Sequence, residues 1–110
     1  MNDPFGLKQG DLEIIVSVIQ IHEEVTKAYL FGSRAKGTSK NGSDVDVALK
    51  GKNLSTSIVL RISYQLNEET TLPYKFDVLN YHTISNDELK KHIDRVGVCI
   101  YLKENGGSEG

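Results

Sequence analysis

Residues 30–37 read Leu-Phe-Gly-Ser-Arg-Ala-Lys-Gly, and residues 43–49 read Ser-Asp-Val-Asp-Val-Ala-Leu. The first run predicts a short apolar strand that ends in a glycine–serine turn, and the second predicts a strand that opens with two carboxylates. Apolar strands of this kind would hold the polar groups together at one end of a sheet. We therefore interpret this unit as the active site and the remainder of the chain as its scaffold.

Asp44 and Asp46 are the first candidate catalytic residues. Side chains two positions apart on a strand point to the same face, so these two carboxylates would lie side by side and repel each other. A hard divalent cation such as Mg²⁺ takes oxygen ligands and would relieve this repulsion. The pattern Asp-x-Asp alone is weak evidence, and two solvent-facing acids at the start of a strand are the alternative.

Asp77 strengthens the metal interpretation. It lies within residues 74–81, a segment rich in aromatic and β-branched residues that predicts a strand. Aspartate is depleted in strands and is rarely buried without a partner. If this strand lies beside the one that carries Asp44 and Asp46, three carboxylates converge, which is the arrangement of two-metal phosphoryl chemistry. The alternative for Asp77 is a salt bridge with a neighbouring lysine.

Gly32 and Ser33 are candidates for binding a phosphate group. Glycine lets the backbone approach a phosphate closely, and a helical turn that starts at Ser33 would direct N–H groups and a hydroxyl toward an anion. Arg34, Lys36 and Lys40 would add positive charge to this nucleotide-binding turn, although ordinary solvated side chains would account for them equally well. A P-loop is excluded because the lysine that this motif requires is absent from the run.

The periodicity of the chain predicts the element order α-β-turn-β-α-β-α-β. We expect an α/β (α+β) fold in which a small mixed sheet of three to four strands is flanked by helices. Asp11 is the predicted N-cap of the first helix, and Ser85 with Glu88 forms a predicted capping box for the last. The predicted helices cover residues 11–26, 55–67 and 85–95, and the predicted strands cover residues 27–31, 44–50, 74–81 and 98–102.

Composition limits the classes of protein to which the chain can belong. A length of 110 residues with 38% hydrophobic content fits a single domain, 1–110, with a core over about 11–102, a loose lead-in over 1–10 and a disordered tail over 103–110. The formal net charge is −2, and the lysines and arginines are scattered, so we do not expect the chain to bind nucleic acid directly. The sequence has no apolar run of the ~20 residues that span a bilayer and no signal-peptide pattern, so we expect a cytoplasmic protein.

Several individual residues carry further expectations. The only cysteine, Cys99, excludes an internal disulfide framework and is expected to be a buried, inert thiol in a strand. The three histidines are expected at the surface or at its boundary. The first predicted helix has one apolar stripe through Ile15 and Ile19 and a second, on roughly the opposite side, through Ile14 and Ile21. Such a helix is either enclosed in the core or partly covered by another chain.

The arrangement Gly32-Ser33, ten residues, Asp44-x-Asp46 and a later strand aspartate, Asp77, resembles the signature of the DNA polymerase β-like nucleotidyltransferase superfamily. More narrowly, the chain resembles the minimal nucleotidyltransferases, and the resemblance covers roughly residues 12–102. It implies a mixed sheet flanked by helices, dependence on Mg²⁺ (two ions), and transfer of a nucleoside monophosphate from ATP to a hydroxyl. It also implies that Asp44, Asp46 and Asp77 bind metal, that Asp77 helps to deprotonate the acceptor, and that Gly32 and Ser33 hold the triphosphate.

The resemblance further implies a partner, because small members of this group are often paired with a helical protein of the HEPN type or with a substrate-binding protein. In toxin–antitoxin pairs the transferase is the antitoxin and adenylylates its partner. Two alternatives stay open: nucleotidyl transfer to a small molecule with a separate substrate-binding subunit, and a non-catalytic module that neutralises a partner by contact. We do not expect the roles of the larger polymerases or tRNA-adding enzymes, because these 110 residues show no separate nucleic-acid-binding domain.

Overall fold

The computed structural model of the chain describes residues 5–37 and 44–103, so Lys40 and the predicted tail after residue 103 lie outside the described residues. The elements are α1 (Asp11–Gln20), β1 (Lys27–Phe31), α2 (Ser33–Lys36), β2 (Val45–Lys50), α3 (Thr56–Glu68), β3 (Phe76–Asn80), a 3₁₀ turn (Tyr81–Thr83), α4 (Asp87–Val96) and β4 (Val98–Leu102). This order is the one that the sequence predicts.

The four strands form one mixed sheet in the order β3-β2-β1-β4. β1 pairs antiparallel with both β2 and β4. β2 and β3 are parallel because α3 carries the chain back across the sheet between them, as a parallel pair requires. The predicted α+β fold with a small mixed sheet is confirmed.

Helices cover both faces of the sheet and divide the core into two layers. Val45, Val47 and Leu49 of β2 are fully buried with residues of α1 and α3, including Ile15 and Ile62. On the opposite face, Phe31 of β1 and Ala48 of β2 pack against Ile93 of α4. Because successive strand residues point to opposite faces, Asp46 lies on the same face of the sheet as Ala48, the face that α4 covers.

Each edge strand of this sheet, β3 and β4, departs from a regular edge. The side-chain amide of Asn67 in α3 donates to the backbone oxygen of Phe76 at 3.1 Å, and its oxygen accepts from the Phe76 N–H at 2.8 Å. One side chain therefore occupies the backbone groups at the start of β3. At the other edge, the pairing of β4 with β1 shifts register between Ala28 and Tyr29, which is a β-bulge.

The N-terminal segment is packed, and the expectation of a loose lead-in over residues 1–10 is wrong for residues 5–10. Leu7 is fully buried in the main core, and Phe5 packs against the same cluster. Residues 1–4 lie outside the described part of the chain. The apolar residues Phe5 and Leu7 were the signal for this packing, but the surrounding glycines indicated a loop, and a loop can still be buried.

Helix α1 is shorter than predicted, and Asp11 is not its cap. The helix ends at Gln20 instead of residue 26, and the N-cap position belongs to Gly10, whose φ of 90° suits glycine. Asp11 lies in the first turn, where its carboxylate accepts from the backbone N–H of Lys8 at 3.1 Å. Ile14 and Ile21 stay exposed, 39% and 70% respectively, so the second apolar stripe of this helix is only partly covered.

Three smaller expectations are also wrong. Asn86, not Ser85, caps α4, since its side chain accepts from the N–H of Leu89 at 3.1 Å. His22, two residues after α1, is buried and forms a 2.7 Å hydrogen bond with Gln65 of α3. Cys99 is exposed, since it lies on the edge strand β4. Among the described residues, no helix is both long and apolar enough to cross a membrane.

The packing of the N-terminal segment can be tested with Leu7→Ala. Removal of this fully buried side chain should lower the free energy of unfolding by about 2–4 kcal/mol. Leu60→Ala is the matched control, because Leu60 is 64% exposed and its truncation should change stability by less than about 0.5 kcal/mol. Urea unfolding followed by circular dichroism measures both, and equal effects would contradict the burial of Leu7.

Candidate active site

Three backbone segments meet at one end of the sheet. β1 ends there at Phe31, whereas β2 and β3 begin there. In the register of the sheet, Asp46 is paired with Phe31 on one side and with Asp77 on the other. The structure therefore places the later strand beside the Asp-x-Asp strand, as the sequence predicts, and brings Asp77 directly next to Asp46.

Gly32 closes the third side of this end. Its φ of 78° and ψ of −154° form a backbone conformation that residues with side chains rarely adopt. A Cβ atom at this position would collide with the Oδ2 atom of Asp46. The predicted helical turn follows as α2, in which the N–H of Lys36 donates to the Gly32 carbonyl at 3.2 Å. Glycine thus allows the turn to lie directly against the carboxylate.

The electrostatic environment of Asp46 is unfavourable to its charge. Burial, and then repulsion from Asp77 and Asp44, raises the pKa of Asp46 from 3.8 to about 6, while the guanidinium of Arg34 opposes the shift. A partly buried acid surrounded by like charge is typical of a functional site, because the arrangement costs stability and gives the fold nothing in return. A cation bound among these oxygens would remove the penalty.

The structure brings Asp46 and Asp77 side by side, but among the residues that it describes it does not bring three acids within metal-binding distance. Within residues 5–37 and 44–103, no three histidine, cysteine or acidic side chains are close enough together to enclose a metal ion. Asp44 and Asp77 are exposed and Asp46 is half-buried. Carboxylate oxygens are nevertheless the donors that Mg²⁺ prefers, and this ion commonly takes the rest of its shell from waters and substrate phosphates. The donor set therefore fits Mg²⁺, and the assignment of the three acids as ligands stays a prediction.

The two basic residues of the turn have different surroundings. Lys36 is exposed. Arg34 is only 3% exposed, and its Nη1 atom donates to the backbone oxygen of Phe5 at 2.9 Å. Its guanidinium also lies 5.0 Å from the centre of the Tyr74 ring. The side chain of Arg34 therefore points into the protein interior. Its role in binding a nucleotide stays a prediction.

Sequence reasoning missed two residues that support the site. The hydroxyl of Tyr74 donates to Oδ2 of Asp11 at 2.6 Å, which joins the segment before β3 to the start of α1. Asp11 is buried, 9% exposed, despite its charge. The available signals were an aromatic residue just before the strand of Asp77 and an acid at a helix start. Neither one indicates the partner, because the two are 63 positions apart.

The chain matches known proteins over most of its length. Residues 13–105 match the family model described as polymerase beta, nucleotidyltransferase. A Haemophilus influenzae protein named "Probable protein adenylyltransferase MntA" is 30% identical over 98 residues, which are 89% of this chain and 85% of that protein.

Solved structures show the same fold. A crystal structure of a toxin–antitoxin with AMP-PNP matches with a TM-score of 0.72 at 19% identity, over 86% of this chain and 75% of that one. A structure of a tri-AMPylated Shewanella oneidensis HEPN toxin in complex with its MNT antitoxin matches with a TM-score of 0.64 at 16% identity, over 84% of this chain and 70% of that one. At these identities the structural likeness concerns the fold.

The close approach of Gly32 to Asp46 can be tested with Gly32→Ala. Both the positive φ and the collision should destabilise the fold, by about 2–4 kcal/mol in total. Gly37→Ala is the reference for an ordinary left-handed glycine, because Gly37 has a φ of 75° and a ψ of 15° and its Cβ would meet no atom within 4 Å. This variant should cost only about 1 kcal/mol in urea unfolding. Equal losses in the two variants would show that neither the collision with Asp46 nor the ψ of Gly32 matters.

The raised pKa of Asp46 predicts a pH-dependent stability. Because the folded-state pKa is above the unfolded value, the ionised carboxylate destabilises the fold at neutral pH, and this penalty disappears as the pH falls from about 6 to about 4. Asp46→Asn should therefore stabilise the protein at pH 7.5 by about 1 kcal/mol, an estimate that allows for partial solvent screening. The advantage should vanish near pH 4.

Asp87→Asn is the control for this measurement, since it removes the same charge from an exposed position on α4 that is not among the groups repelling Asp46. Its effect on the melting temperature should be smaller and should depend less on pH. Metal-free buffer with a chelator is needed, because a bound cation would mask the repulsion. If the stability difference between Asp46→Asn and the unmodified chain stayed constant from pH 4 to pH 8, the raised pKa of Asp46 would be refuted.

Proposed function

This chain belongs to the polymerase beta nucleotidyltransferase family, and on that premise we propose that it is a Mg²⁺-dependent enzyme that transfers AMP from ATP to a hydroxyl of a partner protein. One observation carries the proposal: the sheet register puts Asp77 beside Asp46, and the Gly32 turn lies against the same carboxylate. Acids and a phosphate-accessible backbone turn are thus next to each other.

The acids and the turn have distinct proposed roles. Asp44 and Asp46, with Asp77, would hold Mg²⁺, which when bound would neutralise phosphate charge and lower the pKa of the attacking hydroxyl. The backbone of Gly32 and the hydroxyl of Ser33 would bind the triphosphate, with Lys36 in the solvent beside it. We propose two metal ions, because three acids that hold two ions are the usual arrangement in enzymes of phosphoryl transfer.

Asp77 is proposed to receive the proton of the acceptor hydroxyl. It is exposed, and it lies on β3, an edge strand of the sheet, so a second macromolecule can reach it. As the proton leaves, the acceptor oxygen bonds to the α-phosphorus of ATP, and the bond from that phosphorus to the bridging oxygen breaks. Pyrophosphate departs, and the acceptor retains AMP as a phosphodiester.

The proposed acceptor is a small helical protein of the HEPN type, for which this chain would be the antitoxin. The similarity to a protein named as an adenylyltransferase MntA, and to the fold of an antitoxin seen with a tri-AMPylated HEPN toxin, supports this partner. The exposed apolar residues Ile14 on α1, Ile21 just after it, and Leu60 and Tyr64 on α3 offer surfaces for its contact.

A surface depression lies beside the segment that leads into β3, and Asp44, Asp46 and Asp77 are not among its lining residues. A cavity of about 680 Å³ opens between α3 and the segment that leads into β3, and Lys75, two positions before Asp77, forms part of its wall. Pro73 and the exposed side chains of Leu60 and Tyr64 contribute apolar surface to the same wall.

The proposal is tested with ATP labelled at the α-phosphate, Mg²⁺ and the co-purified partner. Label should move to the partner, and Asp44→Asn, Asp46→Asn and Asp77→Asn should each reduce the rate at least ~100-fold. Asp87→Asn, at an exposed position on α4, is the control for loss of one negative charge and should label normally. A chelator should stop labelling, and excess Mg²⁺ should restore it.

Different outcomes separate the competing functions. Labelling that survives the Asp44 and Asp46 substitutions would refute the metal assignment. Transfer of label to a small molecule while the partner stays unlabelled would favour a small-molecule transferase. If the substituted proteins label nothing but neutralise the partner as well as the unmodified chain does, contact alone accounts for the function.

A further inference from the structure

Helix α2 depends on contacts with other parts of the chain for its position. It contains only Ser33–Lys36, and an isolated helix of this length is not stable in water. Arg34 is its buried residue, and Ala35 is partly buried against the main core. Whatever holds the Arg34 side chain therefore also determines where the Gly32-Ser33 turn lies.

Tyr74 holds Arg34 through its ring. The guanidinium lies 5.0 Å from the ring centre, which is within the range of a cation–π contact. The same guanidinium donates to the Phe5 carbonyl at 2.9 Å. Arg34 thus contacts both an aromatic ring and a backbone oxygen of the N-terminal segment, and its charge also acts on Asp46.

The Tyr74 ring is itself held by hydrogen bonds at its hydroxyl. This group donates to Asp11 at 2.6 Å and accepts from the N–H of Lys8 at 3.3 Å. The same Asp11 carboxylate oxygen also accepts from the Lys8 N–H, at 3.1 Å. Burial of a charged group is costly unless that group is well hydrogen-bonded, and the Tyr74 hydroxyl supplies such a bond to Asp11. Apolar packing alone would not need this pair.

Tyr74 also lies three positions before Asp77 on the segment that enters β3. The backbone between them is hydrogen-bonded on both sides. The carbonyl of Lys75 accepts from the N–H of Val45 at 2.9 Å, and the Asn67 side chain binds the N–H and the carbonyl of Phe76. A displacement of the Tyr74 ring would therefore affect both the Gly32-Ser33 turn and the strand that carries Asp77.

We infer that Tyr74 is a positioning residue, which sets the Gly32-Ser33 turn relative to the acids of β2 and β3 by stacking on Arg34 and which is itself oriented by Asp11. This inference rests on the proposed function where it concerns nucleotide binding. The stacking depends on the aromatic face, so phenylalanine should replace tyrosine in part and leucine should not.

Amide hydrogen exchange tests the positioning without any nucleotide. The reporters are the N–H groups of Lys36 and Gly37, which donate to the carbonyls of Gly32 and Arg34. In Tyr74→Leu these amides should exchange about 10-fold faster, since loss of one cation–π contact corresponds to a change of about this size. In Tyr74→Phe the acceleration should stay below about 3-fold because the ring is kept.

Tyr64→Leu is the matched control. Tyr64 contributes to the same cavity wall as Tyr74 but is 58% exposed on α3, and its substitution should leave the α2 amides unchanged. Amides of β2 and α3 serve as internal references in every variant. Acceleration confined to α2 in Tyr74→Leu supports the inference, whereas uniform acceleration over the chain, or equal effects in the Tyr64 and Tyr74 variants, overturns it.

Binding of a non-hydrolysable ATP analogue with Mg²⁺, measured by calorimetry, tests the link to the proposed function. Tyr74→Leu should raise the Kd about 10-fold, while Tyr74→Phe and Tyr64→Leu should stay within about 3-fold of the unmodified chain. In the labelling reaction the same loss should appear in KM for ATP more than in kcat. If the unmodified chain binds no nucleotide, the proposed function fails, while the exchange result still decides the positioning of the turn.

Discussion

The site depends on how closely three backbone segments approach one carboxylate, that of Asp46. Its strand neighbours are Phe31 at the end of β1 and Asp77 at the start of β3, and Gly32 lies against its side chain. Each approach has its own requirement: an antiparallel hairpin, a crossover through α3, and a residue without a Cβ. The fold supplies all three at the same end of the sheet, which explains how so small a chain can bring these groups together.

This arrangement sets stability against chemistry. The fold places like charges together and raises the pKa of Asp46 to about 6, although Arg34 offsets part of the repulsion. It compensates elsewhere, with a continuous apolar core between the sheet and the helices α1 and α3 and with a partly buried hydrogen bond between His22 and Gln65. Local rules of folding are broken where the acids meet and obeyed around them, as is common at functional sites.

The sequence predicts the local features well, because their signals are local. The alternation in β2, the apolar stripe of α3 and the glycine–serine turn each lie within a few residues, and the observed strands start or end within two positions of the predicted ones. The sequence singles out Asp77 as an acid in an apolar strand, but its place beside Asp46 is only a condition there and is seen in the sheet register. Sequence reasoning failed where distant residues decide: Asp11 binds Tyr74 instead of capping a helix, and the edge position of β4 exposes Cys99.

The modified edges of the sheet have a consequence for how the molecule meets other chains. An edge strand with free N–H and C=O groups invites further strands to add, and this is the usual route to aggregates and swapped dimers. Here the amide of Asn67 stands in for the next strand at Phe76, and the bulge opposite Ala28 disturbs the other edge. Growth of the sheet is thereby opposed at both margins, so recognition is directed to side-chain surfaces, where a partner can be selected by its shape and its sequence.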